Sequence, residues 1–331
     1  MKAWVCRRYV DPFELAIEEV ARPEPGPGQV LIEVSAAGFA FGETLVLNGT
    51  YQVKPPLPYV PSNELSGVVR AVGEGVTRFQ PGDRVAAFSF NLHGGAMAEF
   101  AVMPQDYVFD LSPRLSFEQG AAFPVNTWTA FNALYRRGRL EAGETLVVHG
   151  ATGGIGVAAV QIGKAMGATV IATGGDDARL EVVRGLGADH VLNHRTRDIR
   201  DSIKELTGGR GADVFVDPVG GDMFEASMRA IAPGGRILVV GFTSGQWSQA
   251  RTNVLLVKMA SVIGVEARLA IETTAGQGMV DFHEMLHWIN DGRITPFVSR
   301  AYPFEAMAAG FDDILTRSHV GKCVLSINPT L

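Results

Sequence analysis

Only two cysteines, Cys6 and Cys323, occur in the chain, and neither stands in a CxxC pair or beside histidines at ligand spacing. That excludes a disulfide framework and a cysteine-rich structural zinc lobe. No apolar run approaches the roughly 18 residues a membrane span needs. The opening MKAWVCRRYV is too short in its apolar part to read as a secretory signal. A basic surplus is missing too: the formal charge is −6, with no basic block or stripe. Nothing would then supply the electrostatic attraction that nucleic acid or an anionic membrane requires. These absences predict a cytoplasmic protein that acts on small molecules, without nucleic acid or membrane partners.

Glycine and alternating apolar runs are what the chain has. Its 331 residues, 47% of them apolar and 19% charged, fit two globular domains of ordinary size. Residues 1 to about 120 read as β-rich. VLIEVSAAG, SGVVRAVG and RVAAF carry β-branched residues between the breaks PEPGPGQ, GEG and PGD. Around Ser116 the pattern turns helical, with an interruption near Pro124. From ETLVVHG to RILVVGF, apolar strands then alternate with amphipathic helices, including DMFEASMRAIAPGG. That alternation implies a parallel sheet covered on both faces. The fold class is α/β.

The stretch VVHGATGGIGVAAV sets Gly150, Gly153, Gly154 and Gly156 between a strand and a helix. The first glycine of the dinucleotide fingerprint is replaced by Ala151. Strand before, helix after, and a second strand ending near Thr173 still make this a pyrophosphate cradle at a helix N-terminus. An NAD site normally ends its second strand on Asp or Glu, for the ribose hydroxyls. Here Gly174 holds about that place. Its missing carboxylate leaves room for a 2′-phosphate, with Arg179 five residues on and His194 as a second donor. The reading is NADPH, although Asp176 and Asp177 lie close enough to oppose a phosphate.

Further stretches carry a resemblance. EVSAAGFAFGETLVLNGTY, PPLPYVPSNELSGVVRAVGEGVTRFQPGDRV, GADHVLNHRT and DVFVDPVGGDMFEASMRAIAPGGRILVVGFTSG, with the glycine turn and the C-terminal GRITPFVSRAYPFEAMAAGFDDILTRSHVGKCVL, run nearly end to end. In this order the chain resembles the zinc-free quinone oxidoreductase branch of the medium-chain dehydrogenase/reductase superfamily. The resemblance implies a GroES-like β-rich catalytic domain over residues 1–125 and 268–331, enclosing a Rossmann NADP-binding domain over 126–267. It implies cofactor contacts at Thr129, Thr152, Gly153, Gly154, Ile155, Gly174, Arg179, His194, Gly241, Phe242 and Thr243.

Zinc members of that superfamily hold a catalytic metal through Cys, His and Cys. The corresponding positions here are Ala40, Asn63 and Val125, so the resemblance implies no zinc. NLHGGAMAEF runs through the place of the four-cysteine lobe. Other departures lie at Ala40, where many quinone reductases carry Asn, and at Ser62, where they carry Gly. NADPH users often carry Ser, Lys and Tyr where this chain has Gly175, Arg179 and His194. Glu266 and Arg268 fall in a segment expected near the nicotinamide; they either favour a polar substrate or point away.

Without a Lewis acid, reduction favours acceptors that are already electron-poor. The expected activity is NADPH-dependent reduction of quinones or enones, in a cleft between the domains. Alternatives are an enoyl-thioester reductase, or a cofactor-binding protein without turnover. Tyr51 sits where enoyl-thioester reductases of the superfamily place a proton-donating Tyr; it is either that acid or an aromatic wall. TNVLLVKMASVIGV (252–265) reads as a β-rich apolar sheet edge, and with the resemblance it predicts a homodimer. HEMLH (283–287) matches a zinc-protease pattern. Met279, Phe282, Met285, Leu286 and Ile289 form the helix's apolar face, however, so it reads as a surface helix with two flanking histidines.

Overall fold

The computed structural model describes residues 1–89, 95–272 and 276–331. Asn91 to Gly94 of the NLHGGAMAEF run lie outside the described residues. The chain divides into two compact units, Met1–Val125 with Pro296–Leu331, and Asn126–Thr295.

The first unit is built on a mainly antiparallel sheet. The strand Gln29–Gly38 pairs with Glu64–Val72 and with Phe100–Pro104; Glu64–Val72 pairs on to Arg84–Phe88. Alternation of side chains sends Val30, Ile32 and Val34 into one core with Leu65, Val69, Val85 and Met103. Lys322–Ser326 returns from the far end of the chain to pair with Ala36–Gly38, and Val298–Pro303 pairs beyond it in parallel, at the sheet's edge. The helix Phe117–Ala122 begins with a full capping box between Ser116 and Gln119.

The second unit is a six-stranded parallel sheet. Its order is His190–Asn193, Thr169–Gly174, Thr145–Val148, Ala212–Asp217, Ile231–Val239, Ser261–Gly264. The chain leaves Thr145–Val148 toward one edge and later returns to its other side. The reversal creates a crevice at the carboxyl ends of the strands, the usual ligand position in such sheets. Leu146, Val147, Val148, Val214, Phe215 and Val216 are all fully buried, as strands covered on both faces must be. Asp176 and Asp198 cap the helices Asp177–Gly185 and Ile199–Leu206 through their side chains.

Three expectations are corrected. The chain leaves the second unit at residue 295 rather than 267. The helix Gln277–Asn290 explains why: Asp281 is buried and takes a two-pronged ion pair from Arg136, 2.7 Å at Nε, within the same unit. The segment 252–265 is not β-rich throughout, because Thr252–Lys258 is a helix and only Ser261–Gly264 is strand. The helix expected to run to Gly235 stops at Ala230, where Ile231 starts a strand by pairing with Ala212. Near Pro124 the helical region does break, into Phe117–Ala122 and Asn126–Phe131, the latter continuing into a wider π-type turn over Asn132–Arg137.

Candidate functional site

The glycine turn is shaped by close approach. Gly150 has φ +56°, a region that favours glycine, and its carbonyl accepts from the Gly153 N–H at 2.9 Å. The helix Gly154–Ala165 follows. A Cβ on Gly156 would lie 2.4 Å from the Gly150 carbonyl oxygen and 2.6 Å from the Ala151 Cα, so only glycine lets the helix start this close to the turn. Val157 N–H bonds back to Gly153 O. The N–H groups of Gly154, Ile155 and Gly156 precede it and have no intrahelical acceptor. Such a terminus is an anion cradle.

The second strand ends against this turn. A Cβ on Gly174 would meet the Thr152 methyl at 3.3 Å and Leu180 at 3.0 Å. One residue on, a Cβ at Gly175 would lie 3.1 Å from the His194 imidazole Nε2 and 3.0 Å from the Arg195 Nε. Both acids in this corner have partners. Asp176 accepts the Arg179 backbone N–H at 2.9 Å as helix cap, and its Oδ1 lies 3.5 Å from the Arg179 Nε. The backbone hydrogen bond, helped by the Arg179 charge, holds the Asp176 carboxyl below the usual carboxylate range. Asp177 accepts from Asn193 Nδ2 at 2.8 Å.

On the other side of the turn, Gly150 packs on Val219, which a Cβ would meet at 3.2 Å. Gly241, Phe242 and Thr243 lie on the neighbouring loop, after Ile231–Val239: Thr243 N–H donates to Pro218 O at 3.0 Å, and the Phe242 ring would meet a Cβ on Gly220 at 2.9 Å. Thr129 is buried on the helix Asn126–Phe131, which packs against Gly154–Ala165. Thr152, Gly153, Gly154, Ile155, Gly174, Arg179, His194, Gly241, Phe242 and Thr243 thus gather at the carboxyl end of one sheet. Sequence reasoning missed Arg195, although it directly follows His194. It also missed Asp217 and His149. Asp217 is fully buried; its Oδ1 accepts from Val219 and Gly220 N–H at 2.8 and 2.9 Å and shapes the loop. His149 bridges Thr173 and Ser227 at 2.9 and 2.8 Å, and burial pushes its imidazole pKa down.

Tyr51 belongs to the other unit. Its backbone N–H donates to Leu45 O at 2.9 Å and its half-buried ring packs on the core. Among the described residues its hydroxyl has no hydrogen-bond partner. The same unit holds a buried polar cluster that sequence reasoning missed. The Lys322 ammonium pairs with Glu64 Oε1, and both side chains are almost wholly buried. Glu64 Oε2 accepts the Val125 N–H at 3.0 Å. Nearby, burial raises the Glu43 carboxyl to about 7. Ser62, held at φ +69°, turns its backbone N–H toward Glu43, and the Tyr59 phenol faces it. Neither Glu43 Oε1 nor the Tyr59 hydroxyl completes a hydrogen bond of good geometry.

Two other candidates have plain structural roles. Glu266 accepts the Leu269 N–H at the start of the helix Ala267–Glu272, and Arg268 pairs with Glu272 at 2.8 Å. In HEMLH both histidines are exposed, His287 pairs with Asp291 at 3.2 Å, and Glu284 accepts from the Trp288 indole. Among the described residues no group of three or more His, Cys, Asp or Glu gathers to hold a metal ion.

A GroES-like sheet unit and a Rossmann unit with a glycine turn in one chain define a medium-chain dehydrogenase/reductase. Family models agree: residues 26–113 match the alcohol dehydrogenase GroES-like domain, and residues 154–289 match zinc-binding dehydrogenase. Rat quinone oxidoreductase is 35% identical over 309 residues, covering 93% of this chain and 92% of the relative. Escherichia coli quinone oxidoreductase, solved with NADPH, superposes with a TM-score of 0.89 at 28% identity, covering 99% of this chain and 100% of that one. A structure described as an NAD-dependent alcohol dehydrogenase reaches 0.91 at 32% identity, covering 99% and 100%. The chain belongs to the quinone oxidoreductase branch of the medium-chain dehydrogenase/reductase superfamily.

Proposed function

We propose that this oxidoreductase is an NADPH-dependent, metal-free reductase of quinones or activated C=C bonds, working as a homodimer. One observation carries the cofactor reading. At the end of Thr169–Gly174 both nearby acids are engaged, Asp176 as a helix cap and Asp177 with Asn193, while His194 and Arg195 close over Gly175. A 2′-phosphate suits that corner better than a bare ribose does. NADPH, when bound, supplies the hydride. The backbone N–H groups at 154–156 would hold its pyrophosphate, with Thr152 and Gly174 flanking the adenosine and Thr129 and 241–243 completing the cofactor contacts. The E. coli relative solved with NADPH supports this reading; the NAD-dependent neighbour makes it the point to test.

A zinc ion does not fit the donors. Ala40 and Val125 offer hydrocarbon, Asn63 an amide, and Glu64 is spent on Lys322 and on the Val125 N–H. Zinc needs three or four N, S or O ligands in fixed geometry. Without that Lewis acid the residues suit an acceptor that is already electron-poor. Tyr51, with its hydroxyl uncommitted, can hold a proton for a developing enolate.

The dimer rests on the sheet edge. Beside the edge strand Ser261–Gly264, Leu256, Val257 and Met259 are 77–80% exposed. An apolar patch at an open edge invites a second copy. Sedimentation at micromolar concentration should give a dimer; a monomer would remove this part of the reading.

The activity is tested by NADPH oxidation over quinones, enones, enoyl thioesters and, in reverse, simple alcohols. Turnover on quinones or enones alone supports the reading. Preference for enoyl thioesters or for alcohols, or no turnover at all, would overturn it.

A further inference from the structure

Arg179 is compromised as a phosphate reader. Its guanidinium already faces Asp176 at 3.5 Å. Asp176 is not free to withdraw, because the same carboxylate caps the helix Asp177–Gly185 through the Arg179 N–H. Asp177 adds a second negative charge in the same corner. Arg179 alone would therefore set one positive charge against two negative ones. A dianionic 2′-phosphate would meet net repulsion there.

Arg195 changes that balance. Its Nε and the His194 ring lie 3.0 and 3.1 Å from where a Cβ on Gly175 would stand. The two side chains thus cover the bare backbone directly after the strand end at Gly174. Both are exposed, so their donors can reach a ligand from solvent. Gly175 leaves the room for this, since a Cβ there would make the pair give way by a few tenths of an ångström. The Arg195 backbone N–H is fixed by Asn193 Oδ1 at 3.0 Å, and Asn193 also holds Asp177, so one residue ties down both the acid and the base.

We propose that Arg195, laid over Gly175 beside His194, is the residue that selects a 2′-phosphorylated adenosine, and that the Arg179–Asp176 pair chiefly caps and neutralises the helix start. This rests on the NADPH reading above and names the residue that discriminates. A guanidinium fork suits the phosphate because it offers two parallel donors.

The test is calorimetric binding of 2′,5′-ADP and 5′-AMP, which differ only in the 2′-phosphate, so no turnover is required. Wild type should prefer 2′,5′-ADP. Arg195→Ala should weaken 2′,5′-ADP by roughly 10- to 150-fold, the range for losing one charge-assisted hydrogen-bond partner. It should leave 5′-AMP unchanged, which also shows that the variant is folded. Arg195→Lys should recover only part of the loss. The double variant Asp176→Asn/Arg179→Ala removes a neutral pair and keeps a good helix cap; it should hold 2′,5′-ADP within about threefold of wild type. If the double variant loses the preference while Arg195→Ala keeps it, Arg179 is the reader and the proposal fails with the NADPH reading intact. Equal weakening of both nucleotides by Arg195→Ala also overturns it. No preference in wild type would overturn the proposal and the NADPH reading together.

Discussion

The two units solve the burial of polar chemistry in opposite ways. In the Rossmann unit the polar groups left open at the glycine turn are backbone N–H groups, at a point where glycines let chain segments approach closely. In the GroES-like unit, buried side chains carry the polarity: Glu64 with Lys322, and Glu43 with Tyr59. The first device is local in sequence and tolerates no added atom. The second is assembled from distant residues and tolerates no missing charge. Changes of opposite kind should therefore damage the two units: an added atom in one, a removed charge in the other.

The largest effect expected is on turnover. If Tyr51 donates the proton, Tyr51→Phe should lower enone kcat by roughly 10²–10⁴-fold, the usual worth of a general acid. Quinone reduction should suffer less, because its reduced oxygens can take protons from water. Steady-state assays on both substrate classes check this, and unchanged enone turnover would return Tyr51 to the role of an aromatic wall.

Removing a charge from the first unit should come next. Lys322→Ala leaves Glu64 buried and unpaired, and breaking such a pair from one side costs about 3–5 kcal/mol. Urea unfolding would show a lower midpoint. Adding Glu64→Gln to Lys322→Ala should recover part of the loss, since the orphaned charge is gone. A loss below about 1 kcal/mol, the worth of an exposed pair, would mean the pair is solvated in solution.

Glu43 gives a pH signature. Burial raises its carboxyl in the folded state to about 7, above the ordinary value of 4.5. Its contribution to stability is therefore fully present below about pH 4.5, and is lost as pH rises toward 7. At neutral pH the charged form carries a penalty on the order of 3 kcal/mol. Glu43→Gln should flatten this part of the stability curve between pH 4.5 and 7. Parallel curves for wild type and variant would contradict the buried assignment.

The smallest change is one methyl group in the other unit. Gly156→Ala places a Cβ against the Gly150 carbonyl, and overpacking of that kind costs about 1–3 kcal/mol. Binding of 5′-AMP should weaken as well, because the helix start must move. Full nucleotide affinity in this variant would mean that the cradle is less tightly closed than the contact implies.

The same contrast governs how much was legible in the sequence. The glycine turn and the strand–helix alternation are local patterns, so the Rossmann unit and its tight turn were readable from adjacent residues. The absence of an acid at Gly174 was readable as well. Lys322 was not: it stands 258 residues from Glu64, and nothing beside either residue marks the partner. Arg195 was overlooked because its role depends on Gly175 lacking a side chain, a relation visible only once the two strand ends are adjacent. The boundary near 268 failed for a long-range reason too, since Asp281 is tied to Arg136 across 145 residues.

A nicotinamide reductase whose adenosine corner selects a 2′-phosphate must prefer the phosphorylated cofactor. The most direct measurement is kcat/KM for NADPH and for NADH on one quinone acceptor with the wild-type protein. NADPH should be preferred by at least about tenfold, the worth of one charge-assisted contact to the phosphate. Equal use of the two cofactors, or a preference for NADH, would contradict it, and would mean that Asp176 or Asp177 serves the ribose hydroxyls instead.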